Sequence, residues 1–251
     1  MTTNEFSHQF DTLLSSYAAT AAFGKQDNPA SIELDEYEKS LFLTNAQEEV
    51  VLSLYTGRNS SLQGFEETEE LRRYLSNLVC VAELKPIETS DGKFLGIESN
   101  SRFFTLPDGT ADGEDKPLPA VWFITYESVT LESGKCDSHS SMQVVPVRQD
   151  EYHKIKKNPF RGANDRRALR FDLSEGVVEI VCKYPVTKYY IRYLKQPKPI
   201  ILVQLNDDTE LRGEKNVTES ELPESLHLRI LNRAVEMALQ SRGYTKNNNR
   251  E

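Results

Sequence analysis

The apolar residues of this chain change their spacing twice, and the two changes limit the fold more than any single motif does. As far as Leu78 they keep helical spacing, from Val79 they alternate, and after Pro223 the helical spacing returns. Helices, then strands, then one closing helix is the order of an α+β protein. It argues against the doubly wound sheets that host many nucleotide enzymes.

The first stripe is Phe6, Phe10, Leu13, Leu14, Tyr17 and Ala21, ending at Gly24. The second is Tyr37, Leu41, Phe42, Ala46, Val50 and Leu54. Glu33, Asp35, Glu36 and Glu38 crowd its start, where acidic groups oppose the positive end of the helix dipole, and Gly57 supplies the stop. A third helix is predicted over 65–78. The closing helix runs from Glu221 or Pro223 to Gln240, with Leu226, Ile230, Leu231, Ala234, Val235 and Ala238 as its buried side.

Alternation predicts strands over 79–84, 94–97, 102–106, 121–131 and 142–147, the last a hairpin partner with Pro146 at an edge or bulge. A second β group covers 168–173, 177–183, 188–194 and 200–205, and its short links favour antiparallel neighbours. The expected organisation is a helical region over 1–80, an antiparallel β region over 81–210 with exposed loops near 106–118 and 150–167, and a C-terminal helix with a polar tail over 211–251. Together they make one compact unit.

Chemistry is sparse. There is no phosphate-cradling loop, no G-x-S-x-G elbow and no H-E-x-x-H. Cys136 and His139 form a C-x-x-H pair, but two ligands do not make a zinc site. Cys80 and Cys182 lie in apolar runs, and an odd, widely spaced set of three cysteines fits a reducing compartment. Catalytic residues, a metal and a cofactor are all expected to be absent. No run approaches a membrane-spanning length, and Glu5 and Asp11 disrupt any signal-peptide pattern.

The net charge of -9, from 39 acidic and 30 basic residues, argues against a tight nucleic-acid coat. One segment departs from that average. Lys154, Lys156, Lys157, Arg161, Arg166, Arg167 and Arg170 face only Glu151 and Asp165, with Tyr152, Phe160 and Phe171 interleaved. A contact with phosphate or with an acidic partner face, and a solvated loop that balances the acidic half, stand level as readings. Tyr189, Ile191 and Tyr193 alternate on one strand face, where core or interface packing outweighs a stacking surface for single strands. His227 shares a helix side with Ile230, Leu231 and Ala234, which makes it a packing histidine before a catalyst.

Three segments together resemble a known family. Tyr37 to Val51 resembles the N-terminal helix of small virion connector proteins of crAss-like, short-tailed phages. Tyr190 to Leu202 looks like their late β-hairpin, and Glu221 to Val235 is similar to the closing helix of such head-to-tail adaptors. The resemblance implies a homo-oligomeric ring of about twelve copies stacked under the portal protein, a closed cyclic assembly that contacts other tail or ring proteins. It implies a mechanical role in the virion, assembled in the host cytoplasm: joining portal to tail, continuing the DNA channel and helping to retain the genome. An acidic lumen would let double-stranded DNA pass without sticking. The rival reading is a small soluble phage-encoded module that acts on a host protein or nucleic acid through the same basic loop. A metal-dependent nuclease has the least support.

Overall fold

A computed structural model of the chain describes residues 1–22, 33–58, 64–65, 67–87, 95–110, 117–131, 141–174, 176–206 and 209–242. In chain order the elements are α1 (Thr3–Ala22), α2 (Glu36–Tyr55), α3 (Glu69–Tyr74), β1 (Val79–Leu84), β2 (Arg102–Thr105), β3 (Val121–Leu131), β4 (Ser141–Pro146), α4 (Tyr152–Lys156), β5 (Arg167–Asp172), β6 (Val177–Val181), β7 (Val186–Lys195) and α5 (Glu224–Ser241). Helices, a sheet-rich middle and a closing helix make the α+β arrangement that the spacing predicts. Two compact units form: Met1–Leu78 with Pro197–Glu251, and Val79–Gln196.

In the helical unit α5 packs on both α1 and α2. Asp35 starts α2 with a capping box: its carboxylate accepts from Glu38 N at 2.6 Å, and the Glu38 carboxylate accepts from Asp35 N at 3.2 Å. Gly57, at φ 74°, provides the left-handed turn at the other end. The buried face of α2 keeps Ala46, Val50 and Leu54 of the predicted stripe but departs from it over the first turns. Leu43, Ala46, Val50, Val51 and Leu54 are buried, together with the polar Ser40, Thr44 and Gln47, whereas Tyr37 and Leu41 are exposed.

The reason lies in the segment after Pro197. Ser40 Oγ accepts from Leu202 N at 3.0 Å, Thr44 Oγ1 accepts from Ile200 N at 3.1 Å, and Gln47 Nε2 donates to Lys198 O at 2.7 Å. A row of side chains on a helix thus satisfies backbone groups that a sheet neighbour would otherwise take. The expected strand over 200–205 is therefore an extended segment, with a single bridge from Ile201 to Thr218. The third helix is also shorter than predicted. Thr68 caps it by accepting from Leu71 N at 3.2 Å, and it gives way to a 3₁₀ turn at Ser76–Leu78.

In the sheet unit seven strands run in the order β1-β7-β3-β4-β5-β6-β2. Every pair is antiparallel except β4 and β5, whose connection through α4 is long enough for a crossover. The short link between β6 and β7 does not join neighbours, against the expectation. The sheet curls over, so that Phe104 on edge strand β2 meets Tyr189 on β7 with ring centroids 5.3 Å apart. The link crosses that curl. Residues 95–97 are not a strand, while Phe94 and the Cys136–His139 pair lie outside the described residues. Pro146 ends β4. Val147 N donates to Arg170 O on β5, so the nitrogen of Pro146 turns to the side where pairing with β3 has already stopped at Gln143.

Ala82, Phe104, Val129, Met142, Val144, Ile180 and Ile191 help fill the inside of the curl. On the outer face Tyr152 and Ile155 of α4 pack on Leu169, Phe171 and Val181. That cover buries Val181, and Ile97 and Ser101 close over Glu179, so β6 is buried at every position instead of alternating.

Candidate interaction surface

The basic segment is the connection between β4 and β5, and α4 positions it. Tyr152 stands edge-on against Phe171, with centroids 5.3 Å apart, and its hydroxyl donates to Glu98 Oε1 at 2.6 Å. Burial, followed by the Glu98 carboxylate, holds the Tyr152 phenol well above its usual range. With Tyr152 and Ile155 turned inward, a helix this short directs His153, Lys154, Lys156 and Lys157 to solvent.

The seven predicted cations do not form one surface. Arg170 is largely buried on β5: its Nη1 lies 2.9 Å from Glu127 Oε1, and its Nε lies 3.0 Å from Asp172 Oδ1. Lys156 pairs with Glu98. Hydrogen bonding to Lys156 and then to Tyr152 lowers the pKa of that carboxyl. Arg167 donates Nη1 to Phe160 O at 2.8 Å. Lys154, Lys157, Arg161 and Arg166 remain: all are exposed, and none has an ion-pair partner among the described residues.

Between them the chain turns tightly. Asn158 Oδ1 accepts from Phe160 N at 2.9 Å and from Arg161 N at 3.3 Å, while Asn158 O accepts from Gly162 N at 2.8 Å. Asn164 Oδ1 accepts from Arg166 N at 2.9 Å. The turn presents Phe160 with 84% of its surface exposed. Sequence reading placed Phe160 among interleaved aromatics and missed its isolation. The Asn158-Pro159 turn signal beside it was the available clue.

The other predicted residues belong to the interior. Tyr189, Ile191 and Tyr193 are fully buried on the inner face of β7. The Tyr189 hydroxyl donates to Glu127 Oε2 at 2.5 Å and the Tyr193 hydroxyl to Pro119 O at 2.8 Å. Burial pushes the Tyr193 phenol up to about 12. His227 is buried beside the Phe6 ring, with Nε2 2.9 Å from Leu222 O and Nδ1 2.9 Å from the Met1 amino group. Burial lowers its pKa.

Three charged residues inside the units, Glu127 beside Arg170, Glu179 and Lys39, escaped the sequence reading. Glu179, amid the apolar Val177–Val181 run, accepts from Ile97 N at 2.6 Å and from Ser101 Oγ at 2.5 Å. Lys39 is buried between Asp11 at 2.8 Å and Glu36 at 2.9 Å. A charged residue inside an apolar strand was a readable signal for Glu179, because such a group must be paired when buried.

No group of three or more His, Cys, Asp or Glu suited to a metal occurs among the described residues, and no helix among them is long and apolar enough to cross a membrane. In comparisons with known proteins, residues 1–250 match the model of a family described as phage tail ring protein 3/4. Ring protein 3 of Bacteroides phage crAss001 is 43% identical over 245 residues, covering 96% of this chain and 96% of that protein. Ring protein 4/5 of the same phage is 28% identical over 247 residues, covering 95% and 92%.

Proposed function

Because the chain belongs to the phage tail ring protein 3/4 family, we propose that it forms a closed ring of identical subunits that joins the portal to the tail and continues the DNA channel. Family membership makes it a structural ring component of a phage virion rather than an enzyme. The ring, assembled in the host cytoplasm in about twelve copies, transmits the symmetry of the portal to the tail and leaves an axial passage for double-stranded DNA during packaging and ejection.

The observation that carries this reading is the match over residues 1–250 to a family of tail ring proteins, supported by a relative of nearly the same length. The charge distribution agrees with it. The helical unit holds 22 acidic against 13 basic residues, whereas the sheet unit holds 17 of each, so the whole net charge of -9 resides in the helical unit. Acidic walls repel phosphate and allow a duplex to slide. The exposed cations of the basic segment serve contacts with neighbouring subunits or the portal, where an opposite charge sets orientation and encounter rate. The reading of a soluble module acting on a host protein or nucleic acid has only the same loop in its favour.

Reconstruction of an intact particle by electron cryomicroscopy tests the proposal. The expected result is a single ring density between portal and tail, with the chain repeated around the channel axis. Its absence from that region, or its presence as an isolated monomer, would overturn it.

A further inference from the structure

We infer that Phe160 is the anchor by which one copy of this chain seats on the helical unit of the next. The inference rests on the ring reading and adds the residues that touch.

A phenylalanine exposed at 84% has lost little of its apolar surface to the fold, so the unit gains little from placing it there. The turn that carries it is nevertheless held firmly: Asn158 takes two backbone N–H groups, and Arg167 holds the carbonyl of Phe160 itself. A turn whose backbone is already held loses little freedom when it docks. Lys157, Arg161 and Arg166 are exposed on the same segment, without ion-pair partners among the described residues. An aromatic accompanied by arginines is the composition of an interface hot spot.

The seat must be apolar and acidic, and the helical unit provides both. Tyr37 and Leu41, one turn apart on α2, are exposed at 37% and 36%. Glu33 is exposed just before the helix, and Glu38, which also closes the capping box and lies 3.3 Å from Arg242, follows Tyr37 in the chain. The knob is on the sheet unit and the seat is on the helical unit, so the contact joins unlike surfaces and repeats from copy to copy, as a ring requires. Duplex DNA would pair with the cations but give a rigid phenylalanine no apolar seat, so the observations favour a second copy.

The test places a photoreactive benzophenone amino acid at position 160 of the full chain, with some of the copies isotopically labelled. Irradiation of assembled rings is expected to give mixed-label cross-links into residues 33–55. Cross-links only to a sheet unit, to a different protein or to added duplex DNA overturn the inference, while rings visible by sedimentation leave the ring reading standing. Phe160→Ala is expected to weaken association at least about tenfold with the melting temperature unchanged. Unaltered association overturns the inference. A chain that forms no ring, alone or in particles, overturns both readings.

Discussion

Arg170 places Nη1 2.9 Å from Glu127 Oε1 inside the curled sheet, and both side chains are almost wholly withdrawn from solvent. Tyr189 donates to the other carboxylate oxygen at 2.5 Å, so three strands (β3, β5 and β7) meet on one carboxylate. Burial raises the Glu127 carboxyl above its ordinary value, against the pull of the Tyr189 hydroxyl and Arg170. Arg170→Met leaves that carboxylate buried without its counter-ion and is expected to cost about 3–5 kcal/mol in chemical denaturation. Adding Glu127→Gln, which keeps an acceptor for Tyr189, should recover a large part of the loss. An Arg170→Met protein as stable as the parent would show that the pair carries no weight.

How much of this was legible follows from what each residue does. The order of elements was readable, because burial on one side imposes the periods of helix and strand on Phe6, Phe10 and Leu14 as it does on Tyr189, Ile191 and Tyr193. The polar part of the α2 face was not, since Ser40, Thr44 and Gln47 are buried for their hydrogen bonds to residues more than a hundred positions away, while Ala46, Val50 and Leu54 followed the period. Apolar periodicity carries no record of such partners. Arg170 was counted with the surface cations for the same reason: its partner Glu127 is forty-three positions earlier in the chain. The exposure of Phe160 was hidden because hydrophobicity describes a side chain and not its surroundings.

Gln47 provides a direct measure of the helix-to-segment link. It donates to Lys198 O at 2.7 Å and accepts from Ser220 Oγ at 2.6 Å while fully buried. Gln47→Leu leaves both groups unmatched and is expected to destabilise the chain by about 1–3 kcal/mol. Amide exchange at Ile200 and Leu202 should quicken with it, as the segment loosens from α2. Exchange that quickens elsewhere but not there would contradict the assignment.

Stability should also respond to acid through His227. Its pKa in the folded chain is lowered from 6.5, first by burial; the Leu222 carbonyl, Glu224 and Glu219 oppose the shift and the Met1 amino group adds to it. The unfolded chain therefore takes up the proton first as pH falls, and the contribution present above the ordinary histidine value is lost below it. Denaturant midpoints measured from pH 7 down to about pH 5 should decline in the parent and decline less in His227→Gln. Parallel profiles would assign the acid sensitivity to other groups.

The geometry of the turn that carries Phe160 can be tested at Gly162. A Cβ there would stand 3.0 Å from Asn158 O and 3.2 Å from Ile155 O. Both carbonyls are already engaged, by Gly162 N and Asn158 N, so neither can withdraw without opening the turn. Gly162→Ala is expected to cost roughly 1–3 kcal/mol as an overpacked site. The more telling change is local. Lys157 and Arg161 flank Phe160, so a loosened turn should be cut by trypsin several-fold faster at those two residues, with cleavage elsewhere little altered. If the rate at Lys157 and Arg161 is unchanged while stability falls, the turn holds its shape without the glycine, and the rigidity attributed to it has another source.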